Sequence, residues 1–300
     1  MEPIKIKIDR DLCNGCGLCI PVCPREIMSM ADELAVGDST LCIGCGHCAA
    51  SCPQKAIDIS FIDADGLKFE TLNVDKTWLK PGKFDAASLV NLMSSRRSCR
   101  KFSDESVERD LLKDLVKAGM TAPSGSNTQQ WTFTILPTAQ AVEKLGSKIS
   151  GFFRKLNNLA SKRSVRFLSR LFAKDVLGKY YRDYYEFVEQ ALHDYDVDGK
   201  DMLFHQAPAA ILVGAKTGSA TPCEDALLAT QNILLAAHAA GLGTCLIGFA
   251  VEAIKNDKGI RKNLGLEKGE KIYAVIVIGK SKEKYQRTAG RRKVEPRYYE

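Results

Sequence analysis

The first nine residues alternate, Ile4, Ile6 and Ile8 against Lys5 and Lys7, a period of two that predicts a strand buried on one face. Ile57, Ile59, Phe61 and Ile62 form a second apolar stretch, and Pro81-Gly82 is a breaker pair beyond it. After that the period lengthens. Asp85 to Ser95 sets Leu89, Leu92 and Met93 on one side of a predicted helix. Trp131 to Leu136 predicts a strand, and Cys223 to Ala240 a long apolar helix closed by Gly241-Leu242-Gly243. Strands follow at Thr244 to Ile247, ahead of Gly248-Phe249, and at Lys271 to Ile278. No apolar run approaches the ~20 residues that span a bilayer, and the N-terminal alternation is not that of a signal peptide.

Between these elements lies a stretch of another character. Lys144 to Arg182 holds eleven Lys/Arg and one acid, Asp175, with apolar residues at helical spacing: Phe152, Leu156, Leu159, then Phe167, Leu168, Leu171 and Phe172. Acids then crowd in at Asp183, Glu186, Glu189, Asp194, Asp196, Asp198 and Asp201. The pattern predicts helices of opposite sign that pair with one another or lid a pocket, with an anionic membrane surface as the alternative. Phe152, Phe153, Tyr180, Tyr181, Tyr184 and Tyr185 are candidates for a substrate wall or for core.

Charge adds an asymmetry. The chain carries a formal +7. Residues 1–75 hold 6 Lys/Arg against 12 Asp/Glu, whereas residues 76–300 hold 37 against 24. An acidic head on a basic body fits docking of one on the other or steering of charged redox partners; two solvated surfaces explain it equally. No nucleic-acid module accompanies the basic charge, so no nucleic-acid partner is expected.

Eight of the eleven cysteines change the picture most. They fall in two copies of one run, C-x-x-C-x-x-C-x-x-x-C-P: Cys13, Cys16, Cys19, Cys23 and Cys42, Cys45, Cys48, Cys52. Zinc takes four ligands and gains nothing from a third cysteine at the same interval, and disulfides suit an oxidising compartment. The run resembles that of the bacterial two-cluster ferredoxins, which implies two [4Fe–4S] clusters. By that resemblance Cys13, Cys16, Cys19 and Cys52 hold one cluster, and Cys42, Cys45, Cys48 and Cys23 the other. Gly15, Gly17, Gly44 and Gly46 stand where the backbone must turn its N–H groups toward sulfur. Thiolate ligands and the lack of an export signal lead to an expected cytoplasmic location. Cys99, Cys223 and Cys245 are read as packing residues. His47, His193, His205 and His238 have no partner at metal-ligand spacing, and His47 is placed to tune its neighbouring cluster. No catalytic acid or base is assigned.

Four further motifs stand in order: Arg96-Arg97-Ser98-Cys99-Arg100, the loop Ala122 to Trp131, the Gly241-Leu242-Gly243 helix end with its strand, and the basic Arg291-Arg292-Lys293. Guanidinium forks beside a hydroxyl suit a phosphate monoester. Residues 86–300 resemble the nitroreductase family of FMN flavoproteins. The resemblance implies that Arg96, Ser98 and Arg100 hold the FMN phosphate, with Arg97 near the ribityl chain and Arg291 or Arg292 completing the site. It implies Pro123, Ser124 and Asn127 along the isoalloxazine, with Ile247 and Gly248 near its N5 side. It also implies a homodimer, with FMN at the interface and Val294 to Tyr299 as a crossing arm. Gln129-Gln130-Trp131 stands where the family usually has Gln-Pro-Trp.

The expected organisation is α+β: a two-cluster ferredoxin-like domain at 1–75, a linker at 76–85, and a nitroreductase-like domain at 86–300. The latter has a central, mainly antiparallel sheet flanked by helices, with a helical insertion at about 145–200. The expected function is an FMN oxidoreductase whose clusters pass electrons from a ferredoxin or NAD(P)H to the flavin. The flavin then reduces a nitroaromatic, quinone or activated alkene. An electron-transfer or redox-sensing module that serves a protein partner is the alternative.

Overall fold

The computed structural model describes residues 3–63, 65–75 and 77–300. Met1 and Glu2 of the expected first strand, Ala64 of the expected cluster domain and Lys76 at the start of the expected linker lie outside the described residues. The chain divides into two compact units. One gathers the N-terminal residues to Lys68 with two later segments, Pro123–Gln129 and Gly218–Thr221; the other holds Phe69–Ala122, Gln130–Thr217 and Pro222–Glu300.

In the first unit β1 (Ile6–Ile8) is followed by the hairpin β2 (Met28–Ala31) and β3 (Leu34–Gly37), the short helix α1 (His47–Ser51) and β4 (Ile57–Ile59). β1 pairs antiparallel with β4, Ile6 opposite Ile59 and Ile8 opposite Ile57, so the two cysteine runs are tied at their outer ends. Its small core contains Met28, Ala35, Ile57 and Ile59 together with Cys19 and Cys48. A core in which sulfur replaces much of the hydrocarbon has too little apolar area to hold so short a segment alone; units of this size usually rely on a metal or other staple.

The second unit is larger. α2 (Ala86–Ser95) begins at Asp85, whose carboxylate accepts from the backbone N–H of Ala87 and Ser88 and so satisfies the open first turn. α3 (Arg109–Met120) and β5 (Trp131–Leu136) follow. Four helices come next: α4 (Ala139–Ser161), α5 (Arg163–Phe172), α6 (Val176–Asp183) and α7 (Tyr185–Asp198). The rest is β6 (Ala209–Ala215), α8 (Pro222–Ala239), β7 (Gly243–Leu246), α9 (Gly248–Asn256), α10 (Lys258–Asn263) and β8 (Lys271–Gly279). The four strands form one antiparallel sheet in the order β5-β6-β8-β7.

Helices cover both faces of that sheet, and β6 is therefore buried at every position. Its alternate residues serve two cores. Ala210 and Leu212 join Val142, Leu145 and Ile149 of α4 and the apolar side of α9. Ala209, Ile211 and Val213 join Leu112 and Leu115 of α3 and Ala229 and Ile233 of α8. In β8 the alternation slips. Ile272, Val275 and Val277 lie in the first core, and Ala274, Ile276 and Ile278 in the second. The register jump between Val213 and Gly214 accounts for the change of parity, since it gives the β8 side an extra residue at Tyr273.

The sheet is extended beside β7. Cys99 N–H donates to the Thr244 carbonyl at 2.8 Å, and Ser98 bridges Thr244 in parallel. The helix ends at Ser95 as its pattern predicts, and Arg96 is already extended (φ −61°, ψ 129°). The close approach requires Gly243, where a Cβ would sit 2.8 Å from that of Cys99.

The basic and acidic helices pair as the sequence suggests. Arg154 of α4 forks onto Asp196 of α7 (2.7 and 2.6 Å), and buried Asn157 donates to Glu189 at 2.7 Å and accepts from the Tyr180 hydroxyl at 2.5 Å. α5 keeps an exposed apolar side, with Phe167, Leu168, Leu171 and Phe172 open to solvent.

Candidate functional site

Each cysteine run folds as a tight loop that places its sulfurs around a small cavity. One cavity is lined by Cys13, Cys16, Cys19 and Cys52, with Asn14, Gly17, Ala35, Ala56 and Ile57. The other is lined by Cys42, Cys45, Cys48 and Cys23, with Ile43, Gly46 and His47 among its walls. The fourth cysteine of each run lies at the other run's cavity, so the structure brings together the same two sets of four that the ferredoxin resemblance implies. Gly15, Gly17, Gly44 and Gly46 all take left-handed backbone, φ between 65° and 72°.

The electrostatics ask for cations. Burial raises the thiol of Cys19, and the nearby Cys52, Cys13 and Cys16 raise it further, while its own backbone N–H pulls the other way. Burial likewise raises Cys48, with Cys45 and Cys23 adding to it and Ala49 N–H opposing. Cys13, by contrast, is lowered by the backbone N–H of Ala35 and Gly15. Crowded thiols of this kind ionise together only when positive metal is bound between them. Among the described residues no three His, Cys, Asp or Glu side chains converge on a point that would hold one ion. Four sulfurs spread around a cavity suit a multi-iron group better than a single zinc, which draws all its ligands to about 2.3 Å. His47, at the second cavity, has Nδ1 3.3 Å from the Val22 carbonyl, which fixes its ring.

The second unit contains a cavity of about 1250 Å³. Its floor comes from the C-terminal end of β7 and the start of α9, with Cys245, Leu246, Ile247, Gly248 and Phe249; Arg100 and His205 stand on one side. The insertion supplies the opposite wall, including Phe152, Phe153, Tyr180, Tyr184 and Phe187. Phe249 is the hinge of the aromatic set, edge-on to Phe153 at 5.5 Å and to Tyr184 at 5.9 Å, and stacked on Phe187 at 6.0 Å. Tyr181 and Tyr185 are not among the lining residues; Tyr181 instead carries the Arg166 guanidinium 3.9 Å above its ring.

Cys245 shows which charges reach this place. Burial raises its thiol, and Arg100, the Ser98 hydroxyl and Arg96 oppose that rise. Arg96, Ser98 and Arg100 are thereby gathered around one point at the cavity. Among the described residues no salt bridge involves Arg96, Arg97 or Arg100. Guanidinium groups outside any salt bridge, beside a hydroxyl, suit an anionic ligand such as a phosphate; the Glu283 carboxylate is the acid nearby, accepting from the Arg100 backbone N–H at 3.4 Å. Arg291 and Arg292 lie on the exposed C-terminal stretch, where Arg291 donates to the Ala289 and Gly290 carbonyls at 3.2 Å. Ile247 and Gly248 line the cavity.

Pro123, Ser124 and Asn127 belong to the first unit. Both hydrogens of the Asn127 amide are engaged there, on the carbonyls of Ile43 (3.2 Å) and Gly44 (2.9 Å), and Ser124 Oγ accepts from Gln129 N–H at 3.0 Å. His205 is the residue sequence reasoning passed over. Burial lowers its pKa and Arg100 lowers it further, against the charges of Asp201 and Glu283, so its imidazole is neutral at pH 7. Its neighbours come from segments about 80–105 residues away in sequence as well as from Asp201 close by, and the distant ones leave no local signal.

A family model described as the nitroreductase family matches residues 93–280. Another, described as a 4Fe-4S dicluster domain, matches residues 5–53. The chain is 23% identical over 194 residues to the "Putative NADH dehydrogenase/NAD(P)H nitroreductase" of Archaeoglobus fulgidus, covering 65% of this chain and 86% of that protein. It is 24% identical over 203 residues to the like-named protein of Methanothermobacter thermautotrophicus, covering 66% and 80%. Among solved structures it is similar to a nitroreductase with bound FMN from Bacteroides fragilis, at 21% identity and a TM-score of 0.49, covering 69% of this chain and 98% of that one.

Proposed function

This chain belongs to the nitroreductase family and carries a 4Fe-4S dicluster domain, and on that premise we propose that it is an FMN-dependent oxidoreductase in which two iron–sulfur clusters supply the flavin with electrons. The observation that carries the reading is the pair of sites in one chain: two rings of four cysteines, and an aromatic cavity with Arg100 on its wall. Cys13, Cys16, Cys19 and Cys52 hold one cluster and Cys42, Cys45, Cys48 and Cys23 the other. Arg96, Ser98 and Arg100 hold the phosphate of FMN, and Arg97 lies toward its ribityl chain. Ile247 and Gly248 lie against its ring. Arg291 or Arg292 completes the phosphate site within a homodimer.

When bound, the clusters transfer electrons singly, and FMN converts single electrons into two-electron reduction of an acceptor. The protein's own residues set the conditions. Arg100 and Arg96 fix an anion by charge, and Ser98 adds a directed hydrogen bond. Phe152, Phe153, Tyr180, Tyr184, Phe187 and Phe249 line the cavity with apolar and aromatic surface that excludes water and accepts a flat ring. Neutral His205 holds a proton position at the cavity wall. That wall favours a small aromatic or conjugated acceptor, a nitroaromatic, quinone or activated alkene, over an electron-transfer module that serves only a protein. The donor is a reduced ferredoxin or NAD(P)H, and the need for eight thiolate ligands supports a cytoplasmic location. Among the described residues no helix is long and apolar enough to cross a membrane.

Anaerobic steady-state assays with reduced ferredoxin and with NADPH, each against nitroaromatic and quinone acceptors, test this. Acceptor reduction dependent on added FMN is expected. Clusters that cycle while bound flavin stays oxidised with every donor would overturn it.

A further inference from the structure

Asn127 lies in a loop bent into an unusual backbone. Ser126, Asn127 and Gln129 all take left-handed conformations, with φ of 51°, 55° and 48°, which side-chain-bearing residues seldom adopt. The bend has one visible consequence. It delivers the Asn127 amide to the loop between Cys42 and Cys45, where Nδ2 donates to the carbonyls of Ile43 and Gly44. Gln129 Nε2 donates to Asn127 Oδ1 at 3.1 Å and locks the amide in that orientation.

The Ile43 carbonyl belongs to the same peptide group as the Gly44 N–H. That N–H donates to Cys42 Sγ at 3.4 Å. One peptide group is therefore engaged at both ends, by Asn127 on its oxygen and by sulfur on its hydrogen. A donor on a carbonyl polarises the amide and strengthens the bond its N–H makes. Hydrogen bonds to the sulfurs of an iron–sulfur cluster stabilise its more negative, reduced state and raise its potential.

The other run lacks this arrangement. There the Gly15 N–H acts on Cys13 as Gly44 acts on Cys42. Among the described residues no side-chain donor reaches the Asn14 or Gly15 carbonyl. The Cys42 loop thus receives an amide from more than 80 residues away that the Cys13 loop lacks, while Cys13 receives a second backbone N–H, from Ala35.

We propose that Asn127 is a positioning residue that raises the reduction potential of the cluster held by Cys42, Cys45, Cys48 and Cys23, and not that of the other, by polarising the Ile43–Gly44 peptide toward Cys42. Raising one potential of the pair gives electron flow within the cluster unit a direction. The proposal rests on the cysteine assignment above but not on the flavin.

The test is an anaerobic potentiometric titration, followed by electron paramagnetic resonance, of the full-length, cluster-loaded protein and its Asn127→Gly and Asn127→Asp variants. Glycine removes the amide while tolerating the left-handed backbone; aspartate keeps the size but turns acceptors toward two carbonyls. The expected result is a negative shift of one midpoint with the other unmoved, larger in Asn127→Asp than in Asn127→Gly. Two unmoved midpoints at unchanged iron content would overturn the proposal, as would equal shifts of both. Should Asn127→Gly lose iron, Asn127→Ser, whose hydroxyl reaches one carbonyl at most, is expected to shift the same midpoint by less, and no shift there is equally fatal. Because the titration reads clusters alone, its outcome is independent of whether flavin binds.

Discussion

Asp114 shows how much one side chain can organise. It is fully buried in α3, yet its carboxylate accepts from the backbone N–H of Glu70 (2.9 and 3.0 Å) and Thr71 (2.6 Å), from the Thr71 hydroxyl (2.8 Å) and from Lys117. Burial pushes its pKa up, but those donors together outweigh burial and hold it down at about 2. A folded-state pKa below the usual carboxylate value contributes stability that is complete above about pH 4 and lost as pH falls toward 2, about 2 kcal/mol in all. Acid unfolding followed by circular dichroism is expected to show that loss in the wild type and not in Asp114→Asn, which starts out less stable by about 1–3 kcal/mol. At the cavity, Arg100→Ala is expected to weaken FMN binding by about 10- to 100-fold, the worth of one charge-assisted contact; fluorescence titration of the flavin measures it. Arg96, Ser98 and Arg100 could be proposed from the sequence because two guanidinium groups and a hydroxyl stand within five residues. The settings of Asp114 and His205 could not, because Glu70 and Thr71 on the one and Arg100 and Glu283 on the other lie far along the chain.

Most elements follow from periodicity. β5 and β8 fall where their apolar runs begin and nearly where they end, and α8 is offset from its expected span by one residue at each end. α2 ends at Ser95, where its pattern ends; what escaped is that the next residues add beside β7, a tertiary contact made possible by Gly243. The slip in β8 arises from a bulge that only its pairing with β6 defines. Gly243→Val is therefore expected to lower the melting temperature and weaken FMN binding together, since Cys99 must move and carries Ser98 with it; differential scanning fluorimetry with and without FMN reports both. The α4–α7 contact separates surface from interior. The Arg154–Asp196 pair is about half exposed, so Arg154→Ala is expected to cost under about 1 kcal/mol. Asn157 is only 3% exposed and its loss strands the Tyr180 hydroxyl, so Asn157→Ala is expected to cost about 1–3 kcal/mol in urea unfolding.

At the scale of the molecule, the two cysteine runs and the order of the later motifs made both parts of the chain readable. What the sequence did not reveal is that Pro123–Gln129 and Gly218–Thr221 pack with the cluster-binding residues, far from them along the chain. That packing is what gives Asn127 its place on the Cys42–Cys45 loop. The central claim is that electrons pass from clusters to flavin inside one polypeptide. Stopped-flow mixing of the oxidised, fully loaded protein with limiting reduced ferredoxin, without oxygen, tests it most directly by following the cluster and flavin absorbances together. Cluster bleaching should come first and flavin reduction second, at a rate independent of protein concentration, with the second phase lost in Cys42→Ser. Flavin reduction that proceeds at full rate in Cys42→Ser, or that never follows cluster bleaching in the wild type, would contradict it.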